Sequence, residues 1–297
     1  MDLNRANLLA LNTAFNTAFN ATFTDTPTTW AKIAMKVPST TRHQAYPKLD
    51  DIKGMREWVG ERHIQRLGRD GFTITNRKFE NTIAVSADDI ADDQIGLHTT
   101  MVQDFAQTAA ELPDELIYDL LPLGFTTDHY DGQKFFDVDH PVRDEDGVER
   151  SVSNYTDGAG PAWFLIDDSR AIKPMIFQDR EAAKITAKTN LTDDNVFHQD
   201  EFLWGVKRRC AAGFGAWQLI HGSKAELTPA SYATARRSML EMRGQHGRKI
   251  NLRPKLLVVP PSLEGVAREI LLAERTTAGA TNVWRGTAEL HVETRLR

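Results

Sequence analysis

The sequence predicts an α+β fold, and three features of the chain support that prediction. Apolar residues alternate with polar ones from Phe72 to Val85, which indicates a long strand. The apolar spacing then changes to three or four residues, which indicates a long helix directly after the strand. Further strand patterns fill residues 174–221, and residues 226–297 form a compact α/β pattern. The chain is therefore organised around a strand-then-helix unit in residues 72–121.

Composition and charge limit the classes of function that fit this chain. Hydrophobic residues make up 41% of it, which is typical of a globular protein. The net charge of −5 argues against a surface that binds nucleic acid tightly, although it is compatible with a wall that encloses nucleic acid. The single cysteine, Cys210, excludes an intrachain disulfide. We expect neither a signal peptide nor a membrane span, because no long apolar run is present.

Residues 3–23 predict an amphipathic helix. Phe15, Phe19 and Phe23 recur every four residues and lie on one narrow stripe, which requires a partner surface. Two interpretations are open for that surface. The helix packs on its own domain, or it is an arm that docks on a neighbouring subunit.

Residues 24–47 read as an extended connector, and residues 48–80 read as a two-stranded excursion from the fold. An isolated two-stranded ribbon is only marginally stable. Its mixture of Trp58 with several arginines therefore indicates that it lies on another chain. The alternative is a solvated hairpin whose arginine stems cover its own apolar residues.

The long strand of the central unit ends at a helix start. Ser86 precedes Asp89 by three residues, which resembles a capping box. The helix is predicted over about residues 88–112, with a kink or restart at Pro113. We expect its apolar stripe to pack against the 174–221 sheet, with His98 as a core histidine. The stripe comprises Ile95, His98, Met101, Val102, Phe105, Ala109 and Leu112.

The second half of the chain begins with loops in residues 123–173 and continues with strand patterns in residues 174–221, which predict a small antiparallel sheet. Pro229 marks the start of a helix, because proline is favoured at the first helical position. Residues 255–259 predict a buried strand, and residues 289–292 predict a last strand.

Catalytic motifs are absent from the sequence. It has no phosphate-binding G-x-x-x-x-G-K-[ST] loop, no G-x-S-x-G turn and no H-E-x-x-H helix. Asp137, Asp139 and His140 carry side chains that bind metals, but Asp and Gly clusters are also common in turns. We therefore expect no enzyme, no cofactor and no metal site. A metal-dependent soluble enzyme that uses this cluster is the less favoured alternative.

Long segments of the chain resemble the major head (capsid) protein of Mu-like phages, the gpT family. The resemblance covers roughly residues 30–292 and rests on ordered segments. They include WAKIAMKVPSTTR, REWVGERHIQRL, NRKFENTIAVSADDIADDQIG, PDELIYDLLPLGF, YDGQKFFDVDHPV, SRAIKPMIFQDRE, VFHQDEFLWGVKRRCAAGFGAWQ and LLVVPPSLEGVA.

This resemblance implies the Hong Kong ninety-seven type capsid fold, with an N-terminal arm, an E-loop hairpin, a peripheral P-domain with a long spine helix, and an axial A-domain. The implied boundaries are 1–46 for the arm, 47–83 for the E-loop, 84–225 mainly for the P-domain, and 226–297 mainly for the A-domain. Within the P-domain the spine helix covers about 88–112 and the sheet about 174–221.

The implied function is that of a major capsid protein that assembles as hexamers and pentamers into an icosahedral phage head around double-stranded DNA. Scaffolding and portal proteins are the implied assembly partners, the host cytoplasm is the site of assembly, and no membrane is involved. A shell of the encapsulin kind is the alternative. The expected inter-subunit contacts are Phe15, Phe19, Phe23, Arg56, Trp58, Arg62 and Arg66. Deletion of residues 1–24 is then expected to leave a folded subunit that assembles poorly.

Overall fold

The structure is a computed structural model that describes residues 3–47, 71–92, 95–276 and 278–297. The predicted contacts Arg56, Trp58, Arg62 and Arg66 therefore lie outside the described residues. The α-helices are α1 (Arg5–Asp25), α2 (Trp30–Ile33), α3 (Ala87–Ala91), α4 (Ile95–Leu120), α5 (Asp194–Gln199), α6 (Pro229–Glu241) and α7 (Glu264–Leu271).

The strands of the first half of the chain are β1 (Ala34–Pro38), β2 (His43–Pro47), β3 (Gly71–Thr75), β4 (Arg77–Ser86), β5 (His140–Arg143), β6 (Glu149–Val152), β7 (Tyr155–Thr156) and β8 (Trp163–Ile166). Those of the second half are β9 (Met175–Lys188), β10 (Glu201–Phe214), β11 (Ile220–Ser223), β12 (Leu256–Val259) and β13 (Glu289–Val292). This confirms the mixed α and β content that the sequence predicts.

One sheet of four strands has the order β1-β9-β10-β4. Its two central strands, β9 and β10, pair antiparallel, and β4 pairs antiparallel with β10 over ten residue pairs. The edge strand β1 runs parallel to β9, with Ala34 opposite Met175. The strand of the predicted central unit, β4, therefore pairs with a strand from the predicted sheet of residues 174–221. The antiparallel pairing of β9 with β10 confirms the antiparallel sheet predicted within residues 174–221. That sheet is shorter than predicted at its end, because β11 belongs to a second sheet, and it gains β1 as a parallel edge strand.

Helix α4 packs beside α1 on this sheet, as its apolar stripe predicts. Val102 and Phe105 of α4 are buried in one core with Trp204 of β10. His98 is also buried, which confirms its prediction as a core residue. Met101 is an exception, because its side chain is 47% exposed. The stripe is therefore narrower than the sequence predicts.

The long helix α4 does not end or restart at Pro113. Helix α4 continues through this proline to Leu120. A proline inside a helix removes one backbone hydrogen bond and costs about 3 kcal/mol or more. Ile117 and Tyr118, in the second half of α4, are fully buried in the core. Their burial offsets the cost of the proline, because each large apolar side chain contributes about 1.5–3 kcal/mol.

The helical region begins at the predicted cap residue, Ser86, but this residue bonds a different backbone N–H from the one predicted. Ser86 is the N-cap residue of the short helix α3, and its Oγ accepts a hydrogen bond from the backbone N–H of Asp88 at 3.2 Å rather than from Asp89. Asp92 ends α3, and α4 starts at Ile95. The sequence predicts one helix from residue 88, whereas the structure has two helices there, α3 and α4.

The second large sheet has five strands in the order β13-β12-β8-β11-β7. Strands β12 and β13 lie at the positions the sequence predicts, and β12 is fully buried. Strand β8 comes from the loop-rich region 123–173, and all four of its residues are buried. This region therefore supplies part of the core of the C-terminal unit. Within the described ranges, no helix combines the length and apolar character that a membrane crossing requires.

Candidate assembly surfaces

Helix α1 packs on its own chain. Phe15 and Phe19 have no exposed surface. The ring of Phe15 meets Trp204 edge-on at 4.9 Å, and that of Phe19 lies 5.9 Å from Phe105. Phe23 is half-buried and stacks on Phe19. These packing contacts correct the expectation that Phe15 and Phe19 contact a neighbouring subunit, because both side chains are already covered within the chain.

The base of the predicted two-stranded excursion is a ribbon of β2 and β3, which pair antiparallel. Tyr46 anchors it to the sheet, since its hydroxyl donates a hydrogen bond to Oε1 of Gln178 at 2.8 Å. Burial raises the pKa of Tyr46 to about 12, so the hydroxyl stays protonated. Ile74 packs directly over Gly213, where any added Cβ would overlap the Ile74 side chain. The ribbon therefore leaves the fold in a fixed direction.

An open groove of about 790 Å³ lies between this ribbon and the second half of α4. Phe72, Leu116 and Leu123 contribute apolar surface to it. Its lining also includes three carboxylates, those of Glu115, Asp119 and Asp128, against one guanidinium, that of Arg77. The groove therefore suits an apolar segment that carries basic side chains.

The Asp and His cluster that the sequence marks as a possible metal site is a buried hydrogen-bonded network. Nδ1 of His140 lies 2.6 Å from Oδ2 of Asp131, and its Nε2 lies 3.1 Å from Oδ1 of Asn154. The imidazole stacks on Trp217 with centroids 3.8 Å apart. Oδ1 of Asp137 accepts hydrogen bonds from the N–H groups of residues 138 and 139. No group of three or more His, Cys, Asp or Glu side chains is arranged to hold a metal in the described part of the chain.

Asn154 is held in one orientation beside His140. Its Nδ2 donates to the carbonyl oxygens of Phe135 at 2.9 Å and Trp217 at 3.2 Å. Its Oδ1 accepts from the N–H of Asp137 at 3.0 Å and therefore faces His140 as an acceptor. Both ring nitrogens of His140 thus face oxygen atoms that can accept hydrogen bonds. The network joins the loop before β5 to the five-stranded sheet.

Acid is expected to weaken this junction through Asp131. Burial raises the pKa of Asp131, but the hydrogen bond and the charge of His140 outweigh burial and hold it below its usual value of 3.8. A carboxyl with a lowered folded pKa contributes stability that is present above 3.8 and lost as the pH falls through the folded value. Asp131→Asn should therefore flatten the acid limb of a plot of unfolding free energy against pH. An unchanged acid limb in the variant would contradict this assignment.

A neighbouring histidine tethers the same loop in its neutral form. Nε2 of His129 lies 2.9 Å from the carbonyl oxygen of Gly215, so this nitrogen carries the proton and donates. Burial lowers the pKa of His129 to about 4. The ring also lies against Phe135 and Phe72. The loop therefore links the ribbon to the core of the C-terminal unit.

One exposed aromatic residue was missed by the sequence patterns. Phe197 of α5, at the turn between β9 and β10, is 79% exposed. Leu191 in the same turn is 48% exposed. The surrounding sequence TDDNVFHQD is strongly polar. A single Phe in such a segment was the sequence signal that could have predicted its exposure. Phe197 and Leu191 are therefore two exposed apolar residues in the segment that joins β9 to β10.

The comparisons with known proteins place this chain in a family. The family model described as "Mu-like prophage major head subunit gpT" matches residues 8–296. The chain belongs to the Mu-like gpT major head subunit family. It is 39% identical to the major capsid protein of Escherichia phage Mu over 289 residues, which covers 95% of both chains.

Solved structures of phage heads agree with this membership. The procapsid of bacteriophage JBD30 matches 99% of this gpT-family chain and 100% of its own chain, with 37% identity and a TM-score of 0.90. The JBD30 capsid decorated with minor capsid protein trimers matches 91% of both chains, with 26% identity and a TM-score of 0.72. The fold is therefore the Hong Kong ninety-seven type capsid fold, and this gpT-family chain is a structural subunit of a phage head shell rather than an enzyme.

Proposed function

We propose that this chain assembles as hexamers and pentamers into an icosahedral head that encloses double-stranded DNA. The similarity of almost the whole chain to the JBD30 procapsid subunit carries the proposal. A net charge of −5 supports a wall that surrounds DNA without sequence-specific contacts. Portal and scaffolding proteins are the proposed partners during assembly, and trimers of a minor capsid protein, as named for JBD30, are a further proposed partner.

The proposed domain division follows the two large sheets. Residues 84–225 form mainly the P-domain, with α4 as the spine helix and β9 and β10 as its central strands. Residues 226–297 form mainly the A-domain, and the pairing of β8 with β11 and β12 supports including these strands in it. Residues 1–46 are the proposed arm and 47–83 the proposed E-loop.

The proposed contacts between subunits centre on the E-loop. Arg56, Trp58, Arg62 and Arg66 are of the residue types that dominate binding energy at protein interfaces. The groove beside α4 offers apolar surface with carboxylates, which complements Trp and Arg side chains of a neighbouring copy. Phe23 stays a proposed contact because it is half-buried in the single chain.

Microscopy of the purified protein tests the function, and Trp58→Ala tests the contact. We expect closed shells from the wild type. Loss of a central aromatic contact costs about 2 kcal/mol or more per interface, so the variant should assemble poorly while its melting temperature stays unchanged. The matched control is Val283→Ala, because Val283 is 73% exposed. Wild-type protein that stays monomeric under every assembly condition tested would reject the proposed function. A normal shell yield from Trp58→Ala would reject only the proposed contact.

A further inference from the structure

The C-terminal part of the chain has a charge opposite to that of the whole. Residues 226–297 contain twelve Lys and Arg against seven Asp and Glu, which gives a net charge of +5. The whole chain has a net charge of −5. Basic residues are therefore concentrated in the proposed A-domain, and residues 1–225 carry the remaining net charge of −10.

An acidic turn connects β5 and β6. Residues 143–150 contain two Arg against four Asp and Glu. Asp144 holds the turn, since its Oδ1 accepts from the N–H groups of Asp146 at 3.0 Å and Val148 at 2.9 Å. Its Oδ2 accepts from Nε of Arg150 at 2.9 Å. The turn is thus held in one shape, and the side chains of Asp146 and Glu149 are exposed.

A basic turn lies directly beside it. Residues 243–249 contain three Lys and Arg and no acidic residue. Gln245 joins the turns, because its Oε1 accepts from the N–H of Arg143 at 3.0 Å and its Nε2 donates to the carbonyl of Pro141 at 3.4 Å. Gly247 has φ +69°, and any Cβ there would overlap Cγ of Glu145. Packing between the two turns therefore fixes them side by side.

We propose that the acidic turn of one copy contacts the basic turn of the next copy in each ring of subunits; this rests on the proposed function. A ring of identical subunits needs two complementary patches on every subunit. The two turns share one ion pair within the chain, since Nη1 of Arg243 lies 3.7 Å from Oε1 of Glu145. The remaining charges of the acidic turn can then face those of the basic turn on the next identical copy. Asp146, Glu149 and Lys249 make no ion pair within the described ranges of their own chain, so they are available to a neighbour.

We expect this contact to affect the alignment of neighbouring subunits and the rate at which they associate. Each exposed ion pair contributes about 0–1 kcal/mol, so these pairs do not hold a ring together alone. Complementary charges do steer association and disfavour wrong alignments, and they raise association rates roughly 10- to 1,000-fold at low salt. The contact should therefore make ring closure depend on salt.

A charge-swap experiment tests the contact. The acidic turn is reversed with Asp146→Lys and Glu149→Lys, the basic turn with Arg248→Glu and Lys249→Glu, and a third variant combines both changes. Light scattering measures the assembly rate and sedimentation measures shell yield at low salt, with circular dichroism to verify folding. We expect each single reversal to slow assembly about tenfold and the combined variant to recover to within about threefold of the wild type.

The control variants make the same change in net charge at other positions of the C-terminal unit. Glu226→Lys with Glu269→Lys matches the first variant, and Lys255→Glu with Arg275→Glu matches the second; all four residues are exposed and make no ion pair with described residues. These controls should assemble at the wild-type rate. Folded single reversals that assemble normally, or a folded combined variant that does not recover, would overturn the contact and leave the proposed function standing. A wild type that forms no shells would reject both.

Discussion

Deletion of residues 1–24 is expected to unfold the subunit. Helix α1 places Leu8, Leu11, Phe15 and Phe19 in the core that α4 and the four-stranded sheet share. Each buried Phe contributes about 3–5 kcal/mol by substitution with Ala, and a whole domain has only about 5–15 kcal/mol of stability. Chemical denaturation of the truncated protein, with circular dichroism, measures the loss. This reverses the sequence-based expectation of a folded subunit that assembles poorly.

The same prediction is sharper at single positions on α1. Phe19→Ala should lower the free energy of unfolding by about 3–5 kcal/mol, because it leaves a cavity beside Phe105. Leu9→Ala on the same helix is the matched control, since Leu9 is 65% exposed, and it should change stability by less than about 0.5 kcal/mol. Equal effects of the two substitutions would contradict the packing of α1 on its own chain.

Asn154→Ala is expected to have the second large effect. The substitution removes four hydrogen bonds at a side chain with no exposed surface. It leaves the carbonyls of Phe135 and Trp217 and the ring of His140 without these partners. Each buried group left unsatisfied costs about 1–3 kcal/mol, so the total loss should exceed about 3 kcal/mol. Denaturant titration of the unassembled subunit measures it.

A second substitution distinguishes the loss of this network from a general effect of replacing an asparagine by alanine. Asn190→Ala changes an exposed asparagine and should leave stability within about 0.5 kcal/mol of the wild type. Equal losses of stability from the two substitutions would contradict the role of Asn154 in this network.

Elements with a strong local signal were predictable from the sequence. The strand at 255–259 and the last strand at 289–292 were predicted from short apolar runs, and β12 and β13 occupy these positions. The start of α6 was predicted from Pro229, and Thr228 caps that helix. Local rules suffice here, because caps and apolar runs act within a few residues.

Features that depend on distant contacts were not predictable in the same way. The continuation of α4 past Pro113 depends on the burial of Ile117 and Tyr118 in a core assembled from the whole chain. The choice between the two interpretations of α1 depends on Trp204, which lies almost 200 residues away. At the candidate site, the residue types of Asp131 and His140 suit either a metal or a network. Only the position of Asn154 decides between them, and sequence spacing does not reveal it.

The parallel pairing of β1 with β9 has a consequence for synthesis on the ribosome. Ala34 cannot pair until Met175 has been synthesised, and Phe15 cannot pack until Trp204 has been synthesised. At about 5–20 residues per second, this delay is on the order of ten seconds or more. During that time Phe15 and Phe19 lack the later residues that cover them in the folded chain. The N-terminal segment is therefore where we expect chaperones to bind first.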